Sequence, residues 1–144
     1  MIGIVLVAHG TLAPAVLRSI ESVLGHPVPG MLAVGTQGDE TLSTLRERVG
    51  AAITQVEQGQ GTIILTDMFG DSATNVSLAL AKEADLEIVT GVNVPLILKV
   101  ISARQAMNLQ ELAAFVVEYG RAHILRAGSA APVRPGHRSR TRTT

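Results

Sequence analysis

The 144-residue chain reads as an α/β protein, an open parallel sheet in the flavodoxin-like strand order 2-1-3-4 with helices on both faces. Three observations predict this. Short apolar runs alternate along the chain with segments of helical periodicity, the signature of a parallel sheet built from strand–helix units. The runs at residues 2–7 and 62–66 are continuous, with little of the polar alternation of a half-solvated strand, so both faces are expected to be covered. Right-handed crossovers then leave few topologies, and in the order 2-1-3-4 the first and third strands are neighbours.

The first strand empties into His9, Gly10 and Thr11, and Pro14 suits the first turn of a helix reaching Leu24 with Val16, Ile20, Val23 and Leu24 on one face. Gly25, Pro27 and Pro29 end it, and residues 31–34 form a short second strand. Asp39 is the expected cap of a long helix in which Leu42, Leu45, Val49, Ile53 and Val56 recur every three or four residues up to the Gly59–Gly61 turn. Residues 62–66 make the third strand, which runs into Asp67-Met68-Phe69-Gly70-Asp71-Ser72, and a helix follows from Ser72 to about Glu83. A fourth strand at residues 86–89 leads through Asn93 to a helix over residues 95–104. Asn108 and Glu111 have the spacing of a capping box for a last helix carrying Leu109, Leu112, Val116 and Val117. Residues 121–126 read as either an extension of that helix or a short edge strand.

Composition bounds the function classes. One domain is expected at this length, over residues 1–126. The chain has no cysteine, which excludes disulfides, thiolate metal sites and cysteine nucleophiles. Neither a secretory signal nor an apolar run of membrane-spanning length is evident, so a cytoplasmic protein without stable membrane insertion is expected. Net charge is zero, but residues 1–126 hold 8 Lys/Arg against 12 Asp/Glu, a net of −4, and residues 127–144 hold 4 Arg and no acid. An acidic body with two Phe, one Tyr and no Trp offers neither the basic face nor the stacking aromatics of a nucleic-acid reader. The Arg-rich tail has little apolar surface to bury and is expected to be disordered.

The chemistry concentrates at the carboxyl ends of the first and third strands, where open α/β sheets bind ligands. His9 and Asp67 each end or follow a strand there, and the strand order brings them side by side. A carboxylate accepting the Nδ1 hydrogen fixes the imidazole tautomer and leaves Nε2 as a nucleophile able to attack phosphorus. The resulting phosphohistidine would lie between two helix starts, where N–H groups and hydroxyls around Gly10, Thr11, Gly70 and Ser72 can hold its oxygens. No Walker loop or dinucleotide glycine fingerprint is present, so the phosphoryl group would arrive from another protein, without a bound cofactor. Asp71 reads as the cap of the following helix, a role open equally to Ser72. Met68 and Phe69 read either as a docking patch or as a buried loop anchor, and Asn93 as a turn residue or as rim of the same pocket. His26, His123 and His137 lie in a Gly/Pro turn, a terminal segment and the tail, and no His, Asp or Glu pair has zinc-site spacing, so no metal is expected.

Three segments in this order resemble the EIIA component of the mannose family of the bacterial phosphoenolpyruvate-dependent sugar phosphotransferase system: residues 4–10, Ile-Val-Leu-Val-Ala-His-Gly; residues 66–75, Thr-Asp-Met-Phe-Gly-Asp-Ser-Ala-Thr-Asn; and residues 91–98, Gly-Val-Asn-Val-Pro-Leu-Ile-Leu. The resemblance implies that His9 is phosphorylated by phospho-HPr, that Asp67 orients it, that Ser72 and nearby amides clamp the phosphoryl group, and that a separate EIIB protein is the acceptor. It also implies a homodimer in which residues 121–126 form a strand crossing to the other subunit. The chain departs from the family pattern at Ala8, where some members carry a hydroxyl residue, at Phe69, where Trp is common, and at Asp71, where a small residue is common.

Two other functions fit part of this pattern. A stand-alone regulatory protein would use the same site, with phosphorylation switching its affinity for a target through an added charge of about −1.5 to −2. Small tetrapyrrole chelatases also begin with an apolar strand ending in His-Gly, but they need a further metal-facing histidine or acid, for which His26 and His123 are poorly placed.

Overall fold

A computed structural model describes residues 1–129. The elements run β1 (Gly3–His9), α1 (Leu12–Leu24), β2 (Met31–Thr36), α2 (Leu42–Val56), β3 (Thr62–Thr66), α3 (Ser72–Leu80), β4 (Leu86–Thr90), α4 (Val94–Ala103) and α5 (Leu109–Ala122), with a 3₁₀ turn at Ala127–Ser129. All strand pairs are parallel and the order is β2-β1-β3-β4, as the apolar runs predicted.

The continuous hydrophobicity of β1 is explained by two cores, one on each face of the sheet. Successive side chains on a strand point to opposite faces. Ile4, Leu6 and Ala8 enter a core with Ile20 of α1, Ile97 and Val100 of α4, and Leu112 and Val116 of α5. Val5 and Val7 enter the other, with Leu45, Val49 and Ile53 of α2 and Ala73 and Val76 of α3. β3 divides in the same way, Ile63 and Leu65 to the first core and Ile64 to the second. Burying one such side chain contributes about 1.5–3 kcal/mol, so the central strands hold the loops at their carboxyl ends on a stiff platform.

Several boundaries differ from expectation for local reasons. The α2 cap is Thr41, whose Oγ1 accepts from Thr44 N at 3.1 Å, and not Asp39. Asp39 sits in a turn closed by Glu40 N donating to Gln37 O, three residues before the helix begins at Leu42. α3 ends at Leu80 rather than Glu83, because the chain turns so that Thr62 N can bond Asp85 O and β4 can pair with β3, while Glu83 forms an ion pair with Arg46 at 2.7 Å. The Asn108–Glu111 capping box is present in both directions. Residues 121–126 form no strand in the chain: α5 continues to Ala122, and the following Ile124 and Leu125 are 77% and 67% exposed. The outer edge of β4 is left unpaired by this segment. Of the tail expected to be disordered, residues 127–129 form the 3₁₀ turn and residues 130–144 lie outside the described residues.

At the amino end of the sheet, the buried Arg104 guanidinium ties α4 to the strand starts by donating to Pro29 O at 2.6 Å and Ile2 O at 3.2 Å. No described helix is long and apolar enough to cross a membrane.

Candidate active site

The register of the central strands builds the site. Val7 pairs with Thr66, so the next residues bring His9 and Asp67 together beyond the sheet. Asp67 Oδ2 accepts two hydrogen bonds from His9, one from ring Nδ1 at 2.8 Å and one from the backbone N–H at 3.1 Å. Its other oxygen accepts from Met68 N at 3.1 Å. The ring is therefore held on one edge by a carboxylate that is itself fixed on both oxygens. The His9 side chain is 53% exposed, and Nε2 has no hydrogen-bond partner among the described residues.

Charge follows geometry. The hydrogen bond and the negative charge of Asp67, with a smaller contribution from Asp71, raise the His9 pKa above its ordinary value of 6.5. Partial burial pulls the Asp67 carboxyl upward, but the ring and backbone hydrogen bonds from His9 outweigh it and hold the carboxyl below the usual range.

The turn after β1 depends on two glycines in contact. Gly10 has φ +54°, and its N–H donates to Thr36 O at 3.0 Å. A Cβ at Gly35 would lie 2.0 Å from Gly10 O, so β2 approaches the turn as only glycine allows. α1 then starts without a side-chain cap: Thr11 makes no cap hydrogen bond, whereas Thr41, Asp71, Asn93 and Asn108 cap the other four helices. The first amides of an α-helix have no partner within it; in α1 Pro14 has no N–H and Ala13 is fully buried, so Leu12 is the exposed residue of that turn whose amide is left for an anion beside His9.

On the other side, the Thr74 hydroxyl donates to Met68 O at 2.9 Å and steadies the loop over residues 67–71, in which Gly70 adopts φ +87°. Asp71 caps α3 as expected, with Oδ1 accepting from Thr74 N at 2.8 Å, while Ser72 is the first helical residue and not the cap. Sequence reasoning missed the second property of Asp71: its Oδ2 lies 3.6 Å from His9 Nδ1. Met68 and Phe69 are 53% and 75% exposed, which settles the choice between patch and buried anchor in favour of exposure. Asn93 caps α4 through Leu96 N and also lines an apolar cavity of about 260 Å³ with Asp67, Leu6, Ala8, Leu12 and Ile97. The larger hollow of about 530 Å³ lies at the far end of the sheet, where Glu57 is consumed by the amides of Gln60 and Gly61.

His26 Nδ1 is bonded to Pro27 O and His123 Nδ1 to Tyr119 O, and neither joins the His9 cluster. His137 lies outside the described residues. One trio with metal-ligand chemistry occurs among the described residues: His9, Asp67 and Asp71 offer atoms within 4.8 Å of one another. With Nδ1 donating to Asp67, the trio is a hydrogen-bonded arrangement, and a cation there would have to displace that proton.

Comparison with known proteins agrees with this architecture. Residues 3–117 match the family described as PTS system fructose IIA component, where PTS is the phosphotransferase system. The fructose-specific EIIA component of Bacillus subtilis (strain 168) is 26% identical over 113 residues, covering 78% of this chain and 77% of the relative. The structure of phosphotransferase system component EIIA from Streptococcus agalactiae superposes with a TM-score of 0.82 at 22% identity, covering 90% of this chain and 100% of that one. The mannose/sorbose specific IIA subunit from Enterococcus faecalis gives 0.74 at 20% identity, covering 92% and 97%. Two strand ends that carry a histidine and its carboxylate thus sit in a sheet of the same order and extent as these proteins, and the chain belongs to the family of PTS fructose IIA components, the EIIA proteins of the mannose type.

Proposed function

We propose that the protein is a cytoplasmic phosphoryl carrier in which His9 Nε2 accepts a phosphoryl group from phospho-HPr and passes it to an EIIB protein. One observation carries the reading: the Nδ1 edge of His9 is held by Asp67 at 2.8 Å while the ring remains half exposed. This fixes the tautomer in which Nδ1 bears the hydrogen and Nε2 bears the lone pair.

In the forward step the Nε2 lone pair forms the N–P bond, and the donor's P–N bond breaks with its electron pair returning to the donor imidazole. Asp67 stabilises the ring charge that develops, and the role falls to it because its lowered pKa keeps it ionised. The amides following Gly10 and Thr11, with Gly70 and Ser72 opposite, are the expected cradle for the phosphoryl oxygens. Met68, Phe69 and Asn93 supply the surface that partner proteins meet.

A homodimer belongs to the same reading. Ile124 and Leu125 are exposed, Ile124 lines a hollow of about 200 Å³ with Val89 of β4, Leu96 of α4 and Val117 and Gly120 of α5, and a strand drawn from residues 121–126 would cover the open β4 edge of a second copy.

The test is incubation with phosphoenolpyruvate, enzyme I and HPr, read by intact mass. An acid-labile, alkali-stable gain of one phosphoryl group, absent in His9→Ala, is expected. No gain, with HPr proved active on another acceptor, refutes the reading.

A further inference from the structure

We infer that Asp71 is a second positioning carboxylate for His9, facing the Nδ1 edge alongside Asp67 and keeping that nitrogen protonated while the phosphoryl group arrives and leaves. The inference rests on the carrier reading of His9.

Capping explains only half of the Asp71 side chain. Oδ1 takes Thr74 N, and a Ser, Thr or Asn would cap as well. Oδ2 is buried without a hydrogen-bond partner, on a side chain only 8% exposed, and it lies 3.6 Å from His9 Nδ1. A buried carboxylate oxygen without a donor is costly unless a positive charge faces it. Asp67 and Asp71 are the charged groups within 4.0 Å of His9 among the described residues. The first turn of α1 carries no acid. At the end of β2, Glu40 and Arg48 are paired with each other at 2.7 Å. α4 contributes the neutral Asn93.

The consequence follows from the transfer step. Once Nε2 forms its bond to phosphorus, the ring still carrying Nδ1–H is formally cationic, and two carboxylates on that edge oppose loss of the proton. On onward transfer the P–Nε2 bond breaks, its electron pair returns to Nε2, and the ring departs as neutral imidazole and not as imidazolate. Asp71 meets the ring at Nδ1, the nitrogen that does not take the phosphoryl group. In the resting protein the same charge favours the doubly protonated ring, which has no free lone pair, and Asp71 thereby adds to the acid limit of phosphoryl acceptance that Asp67 mainly sets.

Asp71→Asn and Asp71→Ser both retain an α3 cap and remove the charge, and helix content by circular dichroism reports that the fold is kept. The readouts are the His9 ring titration by proton NMR in the unphosphorylated protein and the pH profile of the initial phosphorylation rate from phospho-HPr. Both variants should titrate at lower pH than wild type. A full charge 3.6 Å away, attenuated as in water, is worth about sevenfold in the His9 protonation equilibrium, which is the upper limit of their gain in rate on the acid limb. Titrations and pH profiles that superimpose on wild type overturn the role of Asp71. The NMR titration needs no donor, so a wild-type protein that takes up no phosphoryl group sinks the carrier reading separately.

Discussion

Replacing Asp67 with Asn tests the site most directly, because the change is nearly isosteric and its hydrogen-bond consequences can be counted. In the native site one oxygen accepts from both His9 Nδ1 and His9 N, and the other accepts from Met68 N. An Asn carbonyl oxygen placed toward His9 keeps the tautomer but turns its NH₂ group toward the Met68 N–H, donor against donor. The flipped amide satisfies Met68 but presents NH₂ to Nδ1, which then becomes the acceptor and moves the ring hydrogen to Nε2, abolishing the nucleophile. Either orientation also removes the full charge that faces the developing imidazolium. A hydrogen bond to a charged group is worth about 1.5–3 kcal/mol, so phosphorylation should slow roughly ten- to hundredfold. Rapid-quench measurement of radiolabelled phosphoryl uptake from phospho-HPr gives the rate. A variant within twofold of wild type across the pH range would show that Asp67 does not orient or stabilise His9 and would refute the reasoning.

The His9–Asp67 pair also makes stability depend on pH. The contribution of His9 is fully present below its ordinary value of 6.5 and fades as pH rises through its raised folded value, and that of Asp67 is present above its ordinary value of 3.8 and is lost as pH falls through its lowered one. Urea unfolding of wild type against His9→Gln should differ most between those two ordinary values, and a difference that grows into the alkaline range would reverse the sign. Gly35→Ala places a methyl 2.0 Å from Gly10 O, so a loss of about 1–3 kcal/mol and slower phosphorylation are expected together. An unchanged melting temperature would show that the turn after β1 yields freely. By light scattering the wild type should be dimeric and the double variant Ile124→Lys/Leu125→Lys monomeric, and equal masses for the two proteins would remove the strand-crossing proposal.

The fold was legible wherever a single segment determines its own state. The unbroken apolar run of β1 can be satisfied only by two covered faces, and the Asn108–Glu111 spacing states a helix start in four residues. The meeting of His9 and Asp67 was legible too, since it needs only the strand order and two residues placed just past strand ends. Competition between neighbours was less so. Thr41 rather than Asp39 caps α2 because the turn before it is closed by Glu40, whose carboxylate is engaged by Arg48 and Gln37. That outcome depends on Arg48, a full helical turn inside α2. The second oxygen of Asp71 could not be foreseen at all, because its position depends on how Gly70 turns the loop and on how Thr74 anchors it. Residues 121–126 show the same limit at the level of assembly: they read as either a helix extension or an edge strand, and in the chain α5 takes the first two and the exposed Ile124 and Leu125 pair with no strand.

On the carrier reading, the missing side-chain cap on α1 would make that helix differ between the empty and the loaded protein. The other four helices begin on a hydrogen bond made within the chain, so their first turns are equally tight at all times. The first turn of α1 has no such bond, and an anion at a helix start contributes about 0.3–1 kcal/mol. Loading His9 should therefore slow amide hydrogen exchange at the exposed Leu12 while leaving the other helix starts unchanged. A partner approaching the exposed Met68 and Phe69 would then distinguish the two forms by how firmly the neighbouring helix is wound as well as by the charge it carries.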